Sequence, residues 1–238
     1  MAVTANGQAV AGRAEAGRAH EEDGAGLSPR AARTRRRLMD AALAEFEEQG
    51  FASTTVDDIV QRCGVARGTF YLYFKNRQDI FVACAREVLG GMHEAAAARP
   101  RPHQTRWERI EDANRAYLSY FAKHKRLLGE FLTYAQIIPE VGTVQIEMRD
   151  AFTRRIERSL RDRQRRGIAR EMDPVIASYA LGGTVYWLAF DWLARESVPF
   201  DESALDAVVR TLTQIWYHAE FPDSFVDGPS PRRQDSGS

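Results

Sequence analysis

The hydrophobic positions of this chain recur at spacings of three and four residues, which is the pattern of amphipathic α-helices. Runs that alternate β-branched and polar residues, as strands do, are absent from the sequence. The pattern predicts about nine helices between residues 30 and 220. We therefore expect an all-α protein, with an N-terminal three-helix domain at residues 30–76 and a C-terminal six-helix domain at residues 77–220. Residues 1–29 and 221–238 lack this periodicity and are predicted to be disordered.

Several helix ends can be placed from capping residues. The first helix is predicted from about Thr34 to Gln49, with Gly50 as its C-cap. A long fourth helix is predicted from Asn76 to about Ala98, and its apolar stripe is formed by Ile80, Phe81, Cys84, Val88 and Met92. Asp173 followed by Pro174 predicts another helix start, because aspartate caps a helix and proline suits its first position.

Two short helices in the N-terminal domain predict a helix-turn-helix. Thr55 and Asp58 have the spacing of a capping box at the start of a helix from about Val56 to Arg62. Gly64 follows, and glycine can adopt the left-handed conformation that a tight turn needs. The next helix is predicted from Arg67 to Tyr73. Its first positions carry a long cation, a glycine and a hydroxyl, which suit entry into a DNA major groove: Arg67, Gly68 and Thr69.

The charge of the chain is unevenly distributed, although its 33 basic and 33 acidic side chains give a net charge of zero. Residues 28–77 carry nine basic and six acidic side chains, a net charge of +3. Five arginines lie within eight residues with no acid between them: Arg30, Arg33, Arg35, Arg36 and Arg37. Such a cluster is either a solvated run or a contact for a polyanion.

The N-terminal domain resembles the DNA-binding domain of the tetracycline-repressor (TetR) family. The resemblance covers about 48 residues, from Arg36 to Ala83. It rests on Phe46, Gly50-Phe51, Thr55-Val56, Ile59, Gly64-Val65, Arg67-Gly68-Thr69-Phe70-Tyr71, Tyr73-Phe74-Lys75 and Asp79-Ile80-Phe81. The rest of the chain is similar to the family only in length and helical pattern. Two residues depart from the family, since Ala66 stands where Ser or Thr is usual and Val60 where Ala is commoner.

The resemblance implies a DNA-binding set, which comprises Arg35, Arg36, Thr55, Ala66, Arg67, Gly68, Thr69, Tyr71, Tyr73 and Lys75. Tyr71 and Tyr73 would carry hydroxyls to DNA phosphates, supported by Lys75. Thr55 would place a helix N-terminus against a phosphate, where free amide groups favour an anion. Ala66 weakens the start of the recognition helix and removes one potential phosphate contact. The arginines would add affinity without sequence preference.

A segment from Ala177 to Ala194 is apolar on nearly every face, which raises the question of a membrane span. Asp191 and several amphipathic aromatic residues argue against one, so we expect a helix buried against its own domain and against a partner. With the last helix, from about Glu202, it would form the four-helix dimer interface that the resemblance implies. The predicted interface residues are Gly182, Gly183, Trp187, Leu205, Val209, Leu212 and Trp216. A homodimer also suits two half-sites of a palindromic operator.

The middle helices are rich in aromatic residues and predict a cavity for a small-molecule effector. The predicted ligand-binding residues are Trp107, Asn114, Tyr117, Phe121, Phe131, Tyr134, Tyr186 and Phe190. Asn114 lies on the apolar stripe of its helix, and a buried amide requires a partner. Two interpretations stay open for it, contact with the effector or a hydrogen bond within the core.

The sequence carries no pattern of an enzyme. Its five histidines lie in separate segments, and neither a phosphate-binding glycine loop nor a nucleophile elbow is present. We expect no cofactor and no metal, and two cysteines suit a reducing cytoplasm. The prediction is a ligand-responsive regulator, a dimer on double-stranded operator DNA released by an apolar or aromatic effector. The alternative is an effector-independent DNA-binding regulator or architectural protein whose C-terminal domain only dimerises.

Overall fold

The computed structural model of the protein describes residues 28–97, 101–194 and 201–225. Within these ranges the chain forms nine α-helices and no strand, which confirms the predicted all-α fold. They are α1 (Pro29–Gln49), α2 (Val56–Cys63), α3 (Arg67–Tyr71), α4 (Arg77–Ala95), α5 (Arg106–Lys123), α6 (Lys125–Tyr134), α7 (Pro139–Arg165), α8 (Pro174–Leu188) and α9 (Glu202–Glu220). Residues 1–27 and 226–238, which hold most of the two segments predicted to be disordered, lie outside the described residues.

The first helix begins five residues before its predicted start at Thr34. Ser28 caps it, since its hydroxyl oxygen accepts from the Ala31 amide at 3.3 Å, and Pro29 occupies the first helical position. Gly50 ends the helix at a φ of 84°, as predicted. The early start places the arginine cluster inside α1, where our prediction had it precede and open the helix.

The turn between α2 and α3 has the geometry that the sequence predicted. Gly64 has a φ of 70° and a ψ of 40°, in the left-handed region. The Gly64 amide donates to the Gln61 carbonyl and the Val65 amide to the Val60 carbonyl, both at 3.1 Å, which is a Schellman motif. The prediction that α3 reaches Tyr73 was wrong. The amides of residues 73 and 74 both donate to the Phe70 carbonyl, which closes the helix after five residues.

The fourth helix connects the N-terminal helices to the rest of the protein. Asn76 caps it by accepting from the Asp79 amide at 2.9 Å, and all five residues of its predicted apolar stripe are buried. It ends at Ala95 rather than near Ala98. Its 19 residues span about 28 Å at 1.5 Å per residue.

A cluster of aromatic rings joins the N-terminal helices to α6 through α4. Phe81 of α4 is fully buried, with ring centroids 5.2 Å from Phe46 and 4.3 Å from Phe51. The Phe131 ring of α6 lies 6.4 Å from Phe81, and the Tyr134 ring lies 5.0 Å from Phe51. The hydrophobic core is therefore continuous from α1 into the C-terminal helices.

The C-terminal helices pack in pairs around α4, with α5 against α9 and α7 against α8. Asp173 accepts from the amides of Val175 and Ile176 at 2.8 and 3.0 Å, which confirms the predicted start of α8. A π-helical segment, Ala189–Ala194, continues α8. Across the described ranges, no helix combines the length and apolarity that crossing a membrane requires. We call α1–α3 the recognition unit and α5–α9 the body.

Candidate DNA-binding surface and ligand cavities

The third helix exposes its polar face and buries its apolar one. Phe70 is fully buried and anchors the helix to the core, with the Phe74 ring 5.8 Å away. Arg67, Gly68 and Tyr71 are exposed. No atom lies within 4 Å of the position that a Cβ would take at Gly68. The helix can therefore approach another backbone closely at this point, as insertion into a major groove requires.

The Arg67 side chain is held by a carboxylate from the preceding helix. Its Nη1 donates to both carboxylate oxygens of Asp57, at 2.6 and 2.5 Å, and its Nη2 lies 3.4 Å from the Tyr71 hydroxyl. More than half of both charged side chains is exposed. Exposed ion pairs contribute about 0–1 kcal/mol to stability. Little free energy would therefore be lost if Arg67 left Asp57 to contact a guanine edge.

The remaining predicted contacts of the helix-turn-helix surround this exposed face. Thr55 forms the predicted capping box, because its hydroxyl accepts from the Asp58 amide at 3.2 Å and its amide donates to the Asp58 carboxylate at 2.7 Å. Ala66 starts α3 without a side-chain cap. Lys75, after the end of α3, is exposed. Thr69 and Tyr73 are half-buried, and the Tyr73 ring packs against the core.

Within α1, the predicted DNA-binding arginines already have partners inside the protein. The Arg36 guanidinium lies 2.8 Å from Asp40 and 2.6 Å from Glu87 of α4. The Arg35 guanidinium lies 5.1 Å from the Phe74 ring centroid. Arg37 donates to the Cys63 carbonyl at 2.6 Å and so ties α1 to α2. This arginine cluster therefore has a partly structural role. The residue pattern alone could not distinguish such a role from that of a solvated run.

Two large cavities lie in the body, and the last residues of α4 contribute to both. The first, the arginine-lined cavity, has a volume of about 620 Å³ between α5, α7 and α9, and residues 95–97 line it. The second, the aromatic cavity, has a volume of about 760 Å³ between α4, α6, α7 and α8. Tyr117 and Phe152 line both. Cavities of this size accommodate drug-sized ligands.

Residues 38–84, which include the helix-turn-helix, match the family described as bacterial regulatory proteins, tetR family. These residues therefore form a DNA-binding domain of the tetR-family type. Over 178 residues the chain is 23% identical to the HTH-type transcriptional regulator YhgD of Bacillus subtilis. That alignment covers 73% of this chain and 91% of YhgD. Over 53 residues the chain is 42% identical to the fatty acid metabolism regulator protein of Bacillus subtilis, covering 22% of this chain and 27% of that protein.

The fold is also similar to solved structures. A putative TetR-family regulator from Mesorhizobium loti superposes with a TM-score of 0.66 at 17% identity, covering 82% of this chain and all of that one. FadR from Bacillus subtilis, solved in complex with stearoyl-CoA, superposes with a TM-score of 0.62 at 23% identity, covering 77% of this chain and 98% of FadR. At these identities the likeness concerns the fold alone.

The predicted ligand-binding residues divide between the cavities and the core. Asn114 and Tyr117 line the arginine-lined cavity. Tyr117 also lines the aromatic cavity together with Phe131, Tyr186 and Phe190. The other three residues do not join them. Trp107 packs on Tyr217 with ring centroids 5.4 Å apart, Phe121 is buried in the core, and Tyr134 belongs to the aromatic junction.

Asn114 has a partner within the protein. It is buried, and its side-chain nitrogen donates to the Thr213 hydroxyl of α9 at 3.4 Å. The Thr213 hydroxyl in turn donates a hydrogen bond to the Val209 carbonyl at 2.7 Å. This hydrogen bond is what the interpretation of Asn114 as a core amide requires. A ligand role for Asn114 stays a prediction.

Sequence reasoning missed the cationic and imidazole groups of the cavities. His93 of α4 lines the aromatic cavity, and its ring stacks on Phe152 at 4.9 Å with an interplanar angle of 8°. Burial, reinforced by the nearby Arg155 charge, lowers the pKa of His93 to about 4. Arg155 and Arg163 of α7 line the other cavity. Their spacing of eight residues beside the apolar stripe of α7 is a signal that could have found them.

The residues predicted for the dimer interface divide between inward-facing and outward-facing positions. Val209 and Leu212 are buried against the protomer itself, and a Cβ at Gly182 would lie 3.3 Å from Ile156 of α7. These residues therefore face inward. Gly183 and Trp187 face outward, since nothing lies within 4 Å of a Gly183 Cβ and the Trp187 side chain is 60% exposed. Leu205 and Trp216 are half-buried. The exposed apolar residues of α8 and α9 that the prediction missed are Val175, Ile176, Tyr179 and Ile215.

Among the described residues, the cysteines and acidic side chains form no metal centre. Cys63 and Cys84 are both buried and free, and burial raises the pKa of each thiol, so neither is poised to ligate or react. Over the part of the chain that the structure describes, no three His, Cys, Asp or Glu side chains come together as a metal site would require.

Proposed function

We propose that this TetR-family protein is a ligand-responsive repressor, which binds a palindromic operator as a homodimer and is released by a small effector with an apolar or aromatic body. The observation that carries the proposal is the course of α4. Its first turn follows the recognition unit, and its last turns line both cavities, through Leu89, Met92 and His93 on one side and residues 95–97 on the other. A ligand in either cavity therefore contacts the helix on which the recognition unit is mounted.

The DNA contacts of the proposal are Arg67, Thr69, Tyr71 and Lys75 at the groove, with Thr55, Tyr73, Arg35 and Arg36 at the flanking phosphates. Glycine at 68 and alanine at 66 allow the backbone to come close. Exposure of Arg67 and Tyr71 beside a buried Phe70 supports this assignment. Each phosphate neutralised by a cation releases counterions, so affinity should fall steeply with salt.

The DNA part is tested by fluorescence anisotropy on a duplex selected from a random library. We expect the double variant Arg35→Ala, Arg36→Ala to bind the selected duplex and random duplexes more weakly, and by the same factor. The salt slope should flatten by up to about 0.9 per lost phosphate contact. Arg158→Ala, an exposed arginine on α7, is the matched control and should change neither quantity. An unchanged slope in the double variant would assign these arginines to structure alone.

The proposed dimer is supported by the outward face of α8 and α9. Ile176 and Trp187 are 69% and 60% exposed, and Ile215 of α9 is 46% exposed. Exposed apolar residues of this size on adjoining helices mark an interaction surface. Sedimentation equilibrium should show a dimer for the natural sequence and a monomer for Trp187→Glu. Ile146→Glu, a charge placed on an exposed apolar residue of α7, should stay dimeric. A monomeric natural protein would contradict the proposal.

The alternative, an effector-independent regulator, needs no cavity beside α4. The two cavities at the end of that helix favour the ligand-responsive function instead.

A further inference from the structure

The arginine-lined cavity has an excess of positive charge. Five arginines and only two carboxylates line it, which are Arg106, Arg109, Arg115, Arg155 and Arg163 against Asp112 and Glu220. A cavity with this lining is unusual for a purely apolar ligand, because covering a charge is costly unless it is paired.

Both carboxylates of the cavity already have cationic partners. Asp112 pairs at 2.6 Å with Arg101, which does not line the cavity. Glu220 pairs at 2.7 Å with Arg163. Burial raises the pKa of the Glu220 carboxyl, and the charges of Arg163 and Arg106 oppose this shift. Arg115 pairs with Asp206 at 2.7 Å, and Glu220 also interacts electrostatically with Arg106, so the uncompensated charge lies at Arg109 and Arg155.

Two of the arginines are left without an acidic partner among the described residues. Arg109 is half-buried, and burial together with the charges of Arg163 and Arg166 lowers its pKa, so its neighbours are cationic. Arg155 donates from Nη1 to the His93 carbonyl at 2.7 Å and has no ion pair. In addition, the buried Nε of Arg163 has no hydrogen-bond partner. The cavity thus offers donors that nothing in the described chain satisfies.

The same cavity also has apolar residues in its lining. Ile110, Phe152, Ile156, Val185 and Trp216 contribute side chains to its lining. A guanidinium binds a carboxylate or a phosphate through paired, charge-assisted hydrogen bonds, whereas the apolar residues contribute affinity by excluding water. The two surfaces together define an amphipathic ligand.

We propose that the effector is an amphipathic organic anion, whose carboxylate or phosphate head is bound by Arg109 and Arg163 and whose apolar body lies against Phe152, Ile156 and Trp216. This inference rests on the proposed function, since it names the chemical class of the effector. Arg155 provides a further cation along the same face of α7, about 12 Å from Arg163 at 1.5 Å per residue.

The inference is tested by calorimetry with four amphiphiles that share one tail and are kept below their micelle concentrations. They are decanoate, decyl phosphate, decanol and decyltrimethylammonium. We expect at least one anion to bind at least about tenfold more tightly than decanol. The hydroxyl of decanol cannot form the charge-assisted hydrogen bond that an anionic head group forms with a guanidinium. The cation should bind more weakly than the alcohol. The stronger of the two anions identifies the head group as carboxylate or phosphate.

The variants separate charge from packing. Arg109→Gln should remove most of the preference for the anion over decanol, Arg109→Lys should retain part of it, and the exposed Arg158→Gln should retain all of it. Equal affinity for decanol and both anions, or no binding of either anion, would overturn the inference. So would an Arg109→Gln variant that keeps the full preference.

DNA binding measured on the same preparations distinguishes this inference from the proposed function. A protein that binds the selected duplex but neither anion contradicts the anionic effector and leaves DNA binding intact. A protein that binds the anion but no duplex contradicts the proposed function instead.

Discussion

The recognition unit and the body differ in what constrains their sequences. The family match lies at residues 38–84, within the recognition unit and the start of α4, whereas a relative aligned over most of the chain is only 23% identical. The groove and the phosphates of DNA are the same for every member of a family, so the surface that contacts them has little freedom. A body that binds different effectors is free to change the residues of its cavities.

The two regions also differ in packing. In the recognition unit, Leu38, Phe46, Ile59 and Phe70 have no exposed surface. The body instead contains cavities of about 620 and 760 Å³ beside α4. A tightly packed unit transmits a displacement as a whole, and a body with empty space can rearrange around a ligand. The difference supports the proposed division, in which one region contacts DNA, the other responds to a ligand, and α4 connects them.

The largest expected effect comes from breaking the connection itself. Phe81→Ala should destabilise the protein by about 3–5 kcal/mol, because it removes a fully buried ring at the junction of both regions. Urea unfolding followed by fluorescence and by circular dichroism measures the loss. Leu72→Ala is the control, since Leu72 is 79% exposed and its loss should cost about 0.5 kcal/mol or less. A cost for Phe81→Ala no larger than the control would mean that the junction contributes nothing to stability.

The next effect concerns the recognition unit alone. Arg67→Gln should reduce discrimination at one base pair by about 1–3 kcal/mol if Arg67 contacts a guanine edge, while the salt slope changes little. Competition anisotropy with single-base variants of the selected duplex provides the measurement. Asp57→Asn is the matched variant, which frees Arg67 and should retain the base preference. A loss spread evenly over all sequences would make Arg67 a phosphate contact.

The smallest effect concerns the body and its pH dependence. The pKa of His93 is about 4 in the folded protein, below the ordinary value of about 6.5. Between these values the unfolded chain binds a proton that the folded protein does not, so stability is lost as pH falls from about 6.5 towards 4. The slope should be up to about 1.4 kcal/mol per pH unit.

Urea unfolding at about pH 7 and about pH 5 measures this slope. His93→Gln should flatten it, whereas His218→Gln, which changes an exposed histidine on α9, should not. The same slope in both variants would show that His93 does not carry the pH dependence.

Local signals explain what the sequence predicted correctly. The capping box at Thr55, the left-handed Gly64 and the Asp173-Pro174 pair each specify a turn or a helix end within a few residues. The start of α1 was missed although Ser28-Pro29 is a signal of the same kind, because the low complexity of the preceding residues obscured it.

Long-range packing explains what the sequence could not predict. The apolar surface of α8 surrounds the whole helix, so its pattern does not tell which side faces α7 and which faces outward. Gly182, which the pattern predicts at a dimer interface, packs against α7 within the protomer. Similarly, Tyr134 has the character of a cavity residue but packs on Phe51, some eighty positions earlier in the chain. Contacts of this range are fixed only when the helices assemble.

The central claim, that α4 couples the cavities to the recognition unit, is tested most directly by measuring the affinity of the protein for the better of the two decyl anions with and without saturating selected duplex. Coupling free energies of about 1–3 kcal/mol correspond to about 5–150-fold changes, and they are reciprocal between two ligands. We expect the duplex to weaken anion binding by a factor in this range, and the anion to weaken duplex binding by the same factor. Equal anion affinity in the presence and absence of duplex would contradict the claim, and would leave a DNA-binding protein whose cavities do not communicate with its recognition helix.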